Sequence, residues 1–254
     1  MSVDNVLDRI GGMLLPPRCV LCGGPGQRPC LDICIDCEAS LPALNAPCPR
    51  CGMPSRHGPH PRPLCGHCLA RPPPYARCLA PFEYAFPVDG LVQALKYRGQ
   101  LAVGRVLGSL LGSSVLERGL HQKVDVVVPV PLHPLRHAAR SFNQSAEIGR
   151  WAARRAGLKF LDGAVARRRD TRPQVGLGPA ERHVNLDGAF TCANILRGLR
   201  VAVVDDVVTT GSTVGEIAGV LLVAGAISVD VWCVARATGP EQVDSGHDAA
   251  TRSA

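Results

Sequence analysis

The sequence is short of aromatic residues and of long apolar runs, and each shortage excludes a class of protein. Aromatic side chains make up 4% of the 254 residues, too few for the stacking surfaces that bind single-stranded nucleic acid. The longest apolar run, Ala218 to Ile227, is shorter than the roughly 20 residues that span a bilayer. The N-terminus carries Asp4 and Asp8 beside a brief apolar run, which is unlike a signal peptide. We therefore expect a cytoplasmic protein with no membrane span.

Lysine is also scarce, so the positive charge comes mainly from arginine. The net charge is +7, and the only lysines are Lys96, Lys123 and Lys159. This balance suits anionic substrates or nucleic acid, or reflects the composition of the source genome. A run of three arginines, Arg167 to Arg169, opens a polar loop that is either a flap over a substrate or ordinary surface.

Cysteine, in contrast, is abundant and regularly spaced. Twelve cysteines in a chain without an export signal indicate metal binding rather than disulfides. Eight of them form two sets of paired C-x2-C knuckles, and four thiolates in this arrangement favour a closed, structural zinc site. An iron–sulfur cluster is the alternative for each set. The predicted ligands are Cys19, Cys22, Cys34 and Cys37 in the first site and Cys48, Cys51, Cys65 and Cys68 in the second.

Other residues near these knuckles are expected not to bind metal. Cys30 could replace Cys34, but the knuckle that begins at Cys34 is the more regular one. His57, His60 and His67 lie in the second set, where four cysteines already suffice for zinc. We therefore predict that Cys30 is a spare thiol and that the histidines are solvated.

A second strong pattern covers residues 199 to 214. Val201 to Val204 is a short run of mostly β-branched residues, typical of a parallel strand covered on both faces. Thr213 and Glu216 have the spacing of a capping box, which predicts a helix beginning one residue after Thr213. An apolar helical segment and a second strand, Ile227 to Val234, complete a βαβ unit.

The residues between this strand and helix carry the chemistry. Thr209 to Thr213 would offer backbone N–H groups and hydroxyls at a helix N-terminus, which suits a phosphate, and Gly211 permits close approach. Asp205 and Asp206, the acidic pair, can accept hydrogen bonds from two vicinal hydroxyls, and we expect both to be ionised at neutral pH. A phosphate cradle beside diol acceptors indicates a ribose 5-phosphate site. The alternative is a surface turn rich in Thr and Asp.

Further elements are predicted around this unit. The predicted strands are Phe82 to Phe86 and Asp125 to Val130, and the predicted helices are Val88 to Tyr97 and Gly104 to Leu116. Lys96 near the end of a helix either complements the helix dipole or reaches a phosphate. The second strand leads into Pro131 and Leu132 and then into a basic loop with Arg136 and Arg140. This loop follows the carboxyl end of a strand, where open α/β sheets bind ligands.

The chain resembles the ComF/GntX family, amidophosphoribosyltransferase-like proteins associated with bacterial DNA uptake. The likeness covers roughly residues 13 to 237. It rests on the two four-cysteine sets, then Pro-Val-Pro-Leu, Arg-Ser-Phe-Asn-Gln and Arg-x-x-Asn-Leu-x-Gly-Ala-Phe, in that order. The stretch 199 to 214 follows them and is similar to the phosphoribosyl-pyrophosphate (PRPP) signature of type I phosphoribosyltransferases. The chain departs from the family at Ser141, where glycine is usual.

The resemblance implies a fold and an activity. The implied fold is α/β, a type I phosphoribosyltransferase-like parallel sheet flanked by helices, with a small N-terminal double zinc-binding segment of the ribbon type. PRPP with Mg²⁺ is the implied substrate, and an unknown nitrogen nucleophile receives its ribose 5-phosphate group. The implied partners are the DNA-uptake machinery or a helicase. The alternatives are a PRPP sensor without turnover and a non-catalytic nucleic-acid handling protein that uses zinc ribbons and an arginine-rich surface.

The resemblance also implies roles for single residues. Asp205 and Asp206 hold the ribose, and a flexible loop covers roughly Arg136 to Gln144. From the site itself we expect Arg136 and Arg140 to stabilise the departing pyrophosphate. The implied PRPP contacts are Asp205, Asp206, Val207, Thr209, Thr210, Gly211, Ser212 and Thr213. The implied pyrophosphate and substrate contacts are Pro131, Leu132, Asn143, Gln144 and Lys96. We expect four regions: an N-terminal helix at 1–17, the double zinc-binding domain at 18–71, the phosphoribosyltransferase domain at 75–237 and a disordered tail at 238–254.

Overall fold

A computed structural model describes residues 16–27, 31–54, 64–132, 142–167 and 190–237. Several predictions fall outside these ranges and stay predictions. They concern most of the N-terminal helix, the C-terminal tail, the spare thiol Cys30, and the basic loop with Arg136, Arg140 and Ser141.

A parallel sheet forms the centre of the described chain. The strands are β1 (Arg77–Leu79), β2 (Phe82–Glu83), β3 (Val126–Pro129), β4 (Lys159–Phe160), β5 (Val165–Arg167), β6 (Phe190–Cys192), β7 (Arg200–Val208) and β8 (Ser228–Arg236). The sheet has the order β1–β8–β7–β3–β4, β2 also pairs with β8, and all of these pairings are parallel. Strands β5 and β6 form a separate antiparallel pair. The central strands are apolar at successive residues because both faces of the sheet are covered.

Helices provide that cover. They are α1 (Ile35–Ala39), α2 (Gly66–Ala70), α3 (Val88–Arg98), α4 (Leu101–Glu117), α5 (Gln144–Ala156) and α6 (Ser212–Val223), with 3₁₀ turns at Leu120–Lys123 and Asn194–Leu196. Helix α6 ends in a Schellman motif, in which Gly225 N–H donates to Leu222 O and Ala226 N–H donates to Leu221 O. Within the described ranges, no helix combines the length and the apolar character that crossing a bilayer requires.

Two apolar clusters lie on opposite faces of the sheet. Alternate residues of β7 divide between them, with Ala202 and Val204 in one and Val201 and Val203 in the other. The first cluster contains the buried side chains of α3, α4 and α5, whereas the second contains those of α6 and β6. Burial of apolar surface is the main favourable term in folding, so these two clusters stabilise the frame that positions the site. The predicted α/β class, a parallel sheet flanked by helices, is confirmed.

The strand before the predicted phosphate loop is longer than the apolar run suggests. β7 continues past Val204 because Val207 pairs with Ala235 and Val208 pairs with Arg236 of β8. The acidic pair therefore lies within the paired part of β7, near its carboxyl end, and not in a loop. Strand pairing holds its backbone in place.

The start of the following helix was predicted two residues too late. α6 begins at Ser212, with Gly211 at its N-cap in the left-handed region and no side-chain capping hydrogen bond. The capping box predicted from Thr213 and Glu216 is therefore wrong, because both residues already lie within the helix. The strand predicted from Phe82 to Phe86 is also shorter than expected and ends at Glu83.

Candidate functional site

Two clusters of cysteine sulfurs precede the sheet. They are Cys19, Cys22, Cys34 and Cys37 in the first and Cys48, Cys51, Cys65 and Cys68 in the second, and in each the sulfur atoms lie within 4.8 Å of one another. The Sγ atoms of Cys22 and Cys34 are 3.8 Å apart, and those of Cys51 and Cys65 are 3.6 Å apart. Sulfurs at ~2.3 Å from a tetrahedral zinc are about 3.8 Å apart, so both clusters fit zinc. The structure thus brings together the two predicted ligand sets.

The two clusters, here called the first and second zinc sites, lie in segments that attach to the sheet differently. We call residues 18–41 the first ribbon and residues 47–70 the second ribbon. Ile33 and Leu41 of the first ribbon are buried in the large apolar cluster of α3, α4 and α5. The second zinc site instead forms a small cluster of its own, with Met53 and Leu64 packed against the cysteines.

A cavity of about 250 Å³ lies at the carboxyl end of β7. Its lining from β7 and α6 consists of the acidic pair and residues 207–214. Lys96 of α3, Gln144 of α5, Arg167 of β5 and Leu132 after β3 also line it, and Tyr97 and Val130 complete it. The cavity therefore gathers all the predicted PRPP contacts and three of the predicted pyrophosphate contacts. It lies at the edge of the sheet where α/β proteins bind ligands.

The acidic pair is held by residues from two helices. The Oδ1 atom of Asp205 accepts hydrogen bonds from Ser145 Oγ and from the backbone N–H of Asp206, both at 2.9 Å. Asp206 is buried, and its Oδ1 accepts from the backbone N–H of Val207 at 2.9 Å. Its other oxygen, Oδ2, forms an ion pair with Lys96 Nζ. Lys96, in the last turn of α3, therefore contacts a carboxylate and does not extend into solvent.

Asp205 does not titrate as the sequence predicts. Burial, with the negative charge of Asp206 beside it, raises the pKa of Asp205 to about 7, although Lys96 and Ser145 oppose this. At neutral pH the Asp205 carboxyl is therefore protonated about half of the time. Burial also opposes the charge of Lys96, but the nearby carboxylates outweigh it and raise the pKa of the ammonium group. The expectation that both aspartates are fully ionised at neutral pH is wrong for Asp205.

The loop after β7, residues 209–213, has the features of an anion site. Thr210 Oγ1 and Ser212 Oγ lie 2.9 Å apart on the exposed rim, and the backbone N–H of Ser212 donates to Thr210 Oγ1 at 3.3 Å. Gly211 has φ of 82°, a conformation that favours glycine. A β-carbon there would lie 3.1 Å from the hydroxyl of Tyr75. The loop opens the twelve-residue helix α6, whose N-terminus favours negative charge.

Two of the predicted pyrophosphate contacts lie elsewhere. Pro131 and Asn143 line a neighbouring cavity of about 300 Å³, and Leu132 borders both cavities. Asn143 is the N-cap of α5: its Oδ1 accepts from the backbone N–H of Ser145 at 3.0 Å. Its Nδ2 donates to the carbonyl oxygen of Val130 at 2.9 Å. Both ends of this side chain hold α5 against the end of β3, so Asn143 positions the helix that carries Ser145 and Gln144.

Sequence reasoning missed several residues at this cavity. The guanidinium of Arg167 lies 5.5 Å from the ring centroid of Phe190. The sequence did not decide whether this arginine belongs to a flap over a substrate or to ordinary surface. Ser145, Tyr75 and Arg236 were not considered, although each contacts the acidic pair or the loop. The arginine run was a signal for the first. The other three have no local pattern that marks them, because strand pairing and helix packing bring them there.

Comparison with known proteins identifies the family. The double zinc ribbon domain family matches residues 10–69. The DNA utilization protein YhgH of Escherichia coli (strain K12) is 38% identical over 228 residues, which are 88% of this chain and 99% of that protein. Competence protein F of Haemophilus influenzae (strain ATCC 51907 / DSM 11121 / KW20 / Rd) is 31% identical over 226 residues, 87% of this chain and 97% of that protein.

The chain belongs to the ComF/GntX family. Its fold is therefore the type I phosphoribosyltransferase-like one, with a double zinc ribbon before the sheet. Among solved structures, the glutamine PRPP amidotransferase of B. subtilis, complexed with ADP and GMP, aligns with a TM-score of 0.36. That match is 23% identical and covers 51% of this chain and 25% of the other, a likeness too low to carry an argument about the site of this ComF/GntX protein.

Proposed function

We propose that this protein binds PRPP in the cavity at the end of β7 and transfers its ribose 5-phosphate group to a nitrogen nucleophile. One observation carries the proposal. A hydroxyl-rich loop at the start of α6 and two carboxylates at the end of β7 line the same cavity. A helix N-terminus suits a phosphate and paired carboxylates suit a diol, so together they match a phosphorylated ribose.

The 5′-phosphate would bind the loop of residues 209–213. Backbone N–H groups at the start of α6 and the hydroxyls of Thr210 and Ser212 are its donors. Gly211 leaves room for the phosphate, because a side chain in its left-handed conformation would be strained and would crowd Tyr75.

The ribose would bind the acidic pair, with its two hydroxyls donating to the carboxylates. Lys96 forms an ion pair with Asp206 and would turn toward the pyrophosphate when the ribose binds the acidic pair. Gln144 is buried, and its Oε1 atom has no hydrogen-bond partner among the residues that the structure describes. This atom can accept a hydrogen bond from a ligand hydroxyl, which extends the diol site onto α5. Leu132 and, from the neighbouring cavity, Pro131 and Asn143 would border the pyrophosphate.

The reaction follows from this arrangement. The bond between C1 of the ribose and the pyrophosphate oxygen breaks, and pyrophosphate leaves with the electron pair. A nitrogen nucleophile then forms a bond to the oxocarbenium-like C1 and releases a proton. Arg136 and Arg140, outside the described residues, would stabilise the charge of the departing pyrophosphate, an electrostatic effect that is large in a site shielded from water.

Magnesium would accompany the substrate. Pyrophosphate and ribose oxygens would be its chief ligands, since Mg²⁺ prefers hard oxygen donors, and the nearby charge of the acidic pair suits a cation. When bound, Mg²⁺ neutralises charge on the leaving group.

A single assay tests the proposal. The protein is incubated with PRPP, Mg²⁺ and a panel of bases and amines, and pyrophosphate release is measured for wild type and for Asp206→Asn. We expect one nucleophile to raise release above the rate of hydrolysis, and the variant to lose roughly tenfold or more of that rate, because a hydrogen bond to a charged group is lost. Binding of PRPP without release for any nucleophile would indicate a sensor. No binding of PRPP would reject the proposal.

A nucleic-acid handling role is the second candidate, and the relatives' names favour it. They are called DNA utilization and competence proteins, and the net charge of +7 suits a polyanion. In this case the zinc ribbons and the arginine-rich surface would act with DNA-uptake machinery or a helicase. Oligonucleotide binding would then fall steeply with salt and would survive Asp206→Asn.

A further inference from the structure

Arg236, at the end of β8, connects the second ribbon to residues 209–213, here called the phosphate loop because we propose that they bind the 5′-phosphate. Its side chain is buried, and its Nε donates to the carbonyl oxygen of Cys51, a ligand residue of the second zinc site, at 3.0 Å. Its Nη1 donates to the carbonyl oxygen of Val208 at 2.7 Å and to that of Thr209. One guanidinium therefore bridges the backbone of a zinc knuckle and the backbone of the loop.

These hydrogen bonds set the direction of the loop amides. In a planar trans peptide, the C=O of one residue and the N–H of the next point to opposite sides. The carbonyls of Val208 and Thr209 face Arg236, so the N–H groups of Thr209 and Thr210 point away from it. Thr209 and Thr210 line the cavity. The carbonyl of Val208 also accepts the backbone N–H of Ala237 at 3.0 Å, so strand pairing helps to hold it. The distinctive contribution of Arg236 is its hydrogen bond to the carbonyl of Thr209, which leaves the N–H of Thr210 directed to the opposite side.

The connector after the second ribbon reaches the same loop by a separate route. Arg50 of that ribbon donates from Nη2 to the carbonyl oxygen of Pro73 at 2.9 Å. Two residues further on, the buried hydroxyl of Tyr75 lies against Gly211 of the loop. The ribbon, its connector and the loop therefore pack as one unit.

The first ribbon makes its polar connection to a different part of the protein. Asp32 forms an ion pair with Arg105 of α4, on the sheet face that carries α3, α4 and α5. Here too an arginine of the sheet domain joins a ribbon, although through a side-chain ion pair and not through hydrogen bonds to backbone carbonyls. It provides a natural control.

We propose that Arg236 is a positioning residue that couples the second zinc site to the phosphate loop. Metal at this site holds Cys51 in place, Cys51 holds Arg236, and Arg236 keeps the loop amides directed at the ligand. The proposal rests on the proposed function in one respect, that the loop binds the 5′-phosphate of PRPP. Coupling between two sites is reciprocal, so PRPP must stabilise the zinc of the second site more than that of the first.

The test uses the full chain with both zinc ions, as wild type, Arg236→Gln and the control Arg105→Gln. The first measurement is hydrogen exchange without ligand. We expect the amides of Ser212 and Gly215, which donate to Thr210 Oγ1 and to the carbonyl oxygen of Gly211, to exchange about tenfold faster in Arg236→Gln, because local opening of the loop becomes easier, and at the wild-type rate in Arg105→Gln. This measurement requires no ligand and therefore decides the positioning role even if PRPP does not bind.

The second measurement is zinc release to a chelator, with and without saturating PRPP. We expect two release phases in wild type, of which PRPP slows only one, by about fivefold or more, a typical coupling between sites. Cys65→Ser, which empties the second site, should remove the phase that responds. Arg236→Gln should retain two phases but lose the response, while Arg105→Gln should keep it. If Arg236 contributed only to overall stability, Arg236→Gln would change the rates of both zinc-release phases together. PRPP would then not slow one phase selectively in wild type.

Several outcomes overturn the proposal. They are wild-type loop exchange in Arg236→Gln, equal slowing of both phases by PRPP, or a response that persists in Arg236→Gln. If Arg236→Gln does not fold, Arg236→Lys replaces it, because lysine keeps the charge but cannot bridge Cys51 and the loop in the same way. Failure of PRPP to bind any variant rejects the proposed function, and the exchange measurement then decides this inference alone.

Discussion

The two zinc ribbons use the same four-cysteine motif but are held to the protein by different forces. The first ribbon contributes Ile33 and Leu41 to the large apolar cluster with α3, α4 and α5. Among the described residues of the second ribbon, the cysteines, Met53 and Leu64 form a separate small cluster. We therefore expect apolar burial to hold the first ribbon even apart from its metal, and metal coordination and polar contacts to hold the second.

This difference divides the candidate site into two halves. The acidic pair is organised by Ser145 and Lys96, which belong to helices on the face that holds the first ribbon. The phosphate loop is organised by Arg236 and Tyr75, which connect to the second ribbon. Metal loss at the second ribbon should therefore affect phosphate binding, and changes at the acidic pair should affect ribose binding alone.

Removing one zinc ligand from each ribbon should have the largest effect and tests the comparison directly. Cys34 and Cys65 are matched, because each is the N-cap of a short helix in its ribbon. We expect Cys34→Ser and Cys65→Ser each to bind one zinc instead of two. Limited proteolysis should then cut the second ribbon of Cys65→Ser at least tenfold faster than the first ribbon of Cys34→Ser, because local stability there depends on the metal.

The spare thiol supplies the control for this experiment. Cys30→Ser should keep two zinc ions per chain and wild-type proteolysis, since Cys30 is predicted not to be a ligand. Equal loss of zinc from Cys30→Ser and Cys34→Ser would show that the ligand assignment is wrong. Equal cleavage of both ribbons would break the comparison between them, and iron with labile sulfide in place of zinc would reject the zinc sites altogether.

Patterns local in sequence predicted much of this structure. The C-x2-C spacing was enough to assign both zinc ligand sets, because each knuckle brings its two sulfurs together by its own backbone. The run from Val201 to Val204 was enough to find β7, because a strand buried on both faces is continuously apolar. Its full length was not predictable, since pairing with β8 extends it to Val208 beyond the end of the apolar run.

Contacts between distant parts of the chain were not predictable. Arg236 and the carbonyl of Cys51 are 185 positions apart, and only the fold brings them together. The pKa of Asp205 was also missed, because the helix dipole and the adjacent Asp206 were visible in the sequence but the burial that raises this pKa most was not. The orientation of the loop and the protonation of Asp205 thus depend on tertiary structure.

Substitution of the acidic pair should have the next largest effect and sharpens the division between the two halves. We expect Asp206→Asn to weaken PRPP binding about tenfold to a hundredfold, since a hydrogen bond to a charged group contributes roughly 1.5–3 kcal/mol. Inorganic phosphate, which uses only the loop, should bind as in wild type, and both zinc ions should be retained. Calorimetry with the two ligands measures this.

The loop provides the opposite variant. Gly211→Val should abolish binding of both ligands, because a β-branched residue is strained at positive φ and its β-carbon would crowd the Tyr75 hydroxyl. Wild-type PRPP affinity in Asp206→Asn would mean that this carboxylate does not hold a ribose. The loop would then be a phosphate-binding turn of some other kind.

The smallest expected effect is a pH dependence confined to the acidic half of the site. The pKa of Asp205 is raised to about 7 by burial and by the charge of Asp206, and we expect the ribose hydroxyls to bind the ionised form. At pH 6 about one molecule in eleven is ionised and at pH 8 about ten in eleven, so PRPP affinity should rise about tenfold over this range. Because the pKa in the folded protein is above the unfolded value, the same group makes folding less favourable as pH rises from about 4 to 7.

Asp205→Asn should remove the group's contribution to both trends. The phosphate groups of PRPP also titrate near pH 6, so the measured quantity is the ratio of wild-type to Asp205→Asn affinity at each pH. A ratio that stays constant from pH 6 to 8 would show that Asp205 does not bind the ribose as a carboxylate.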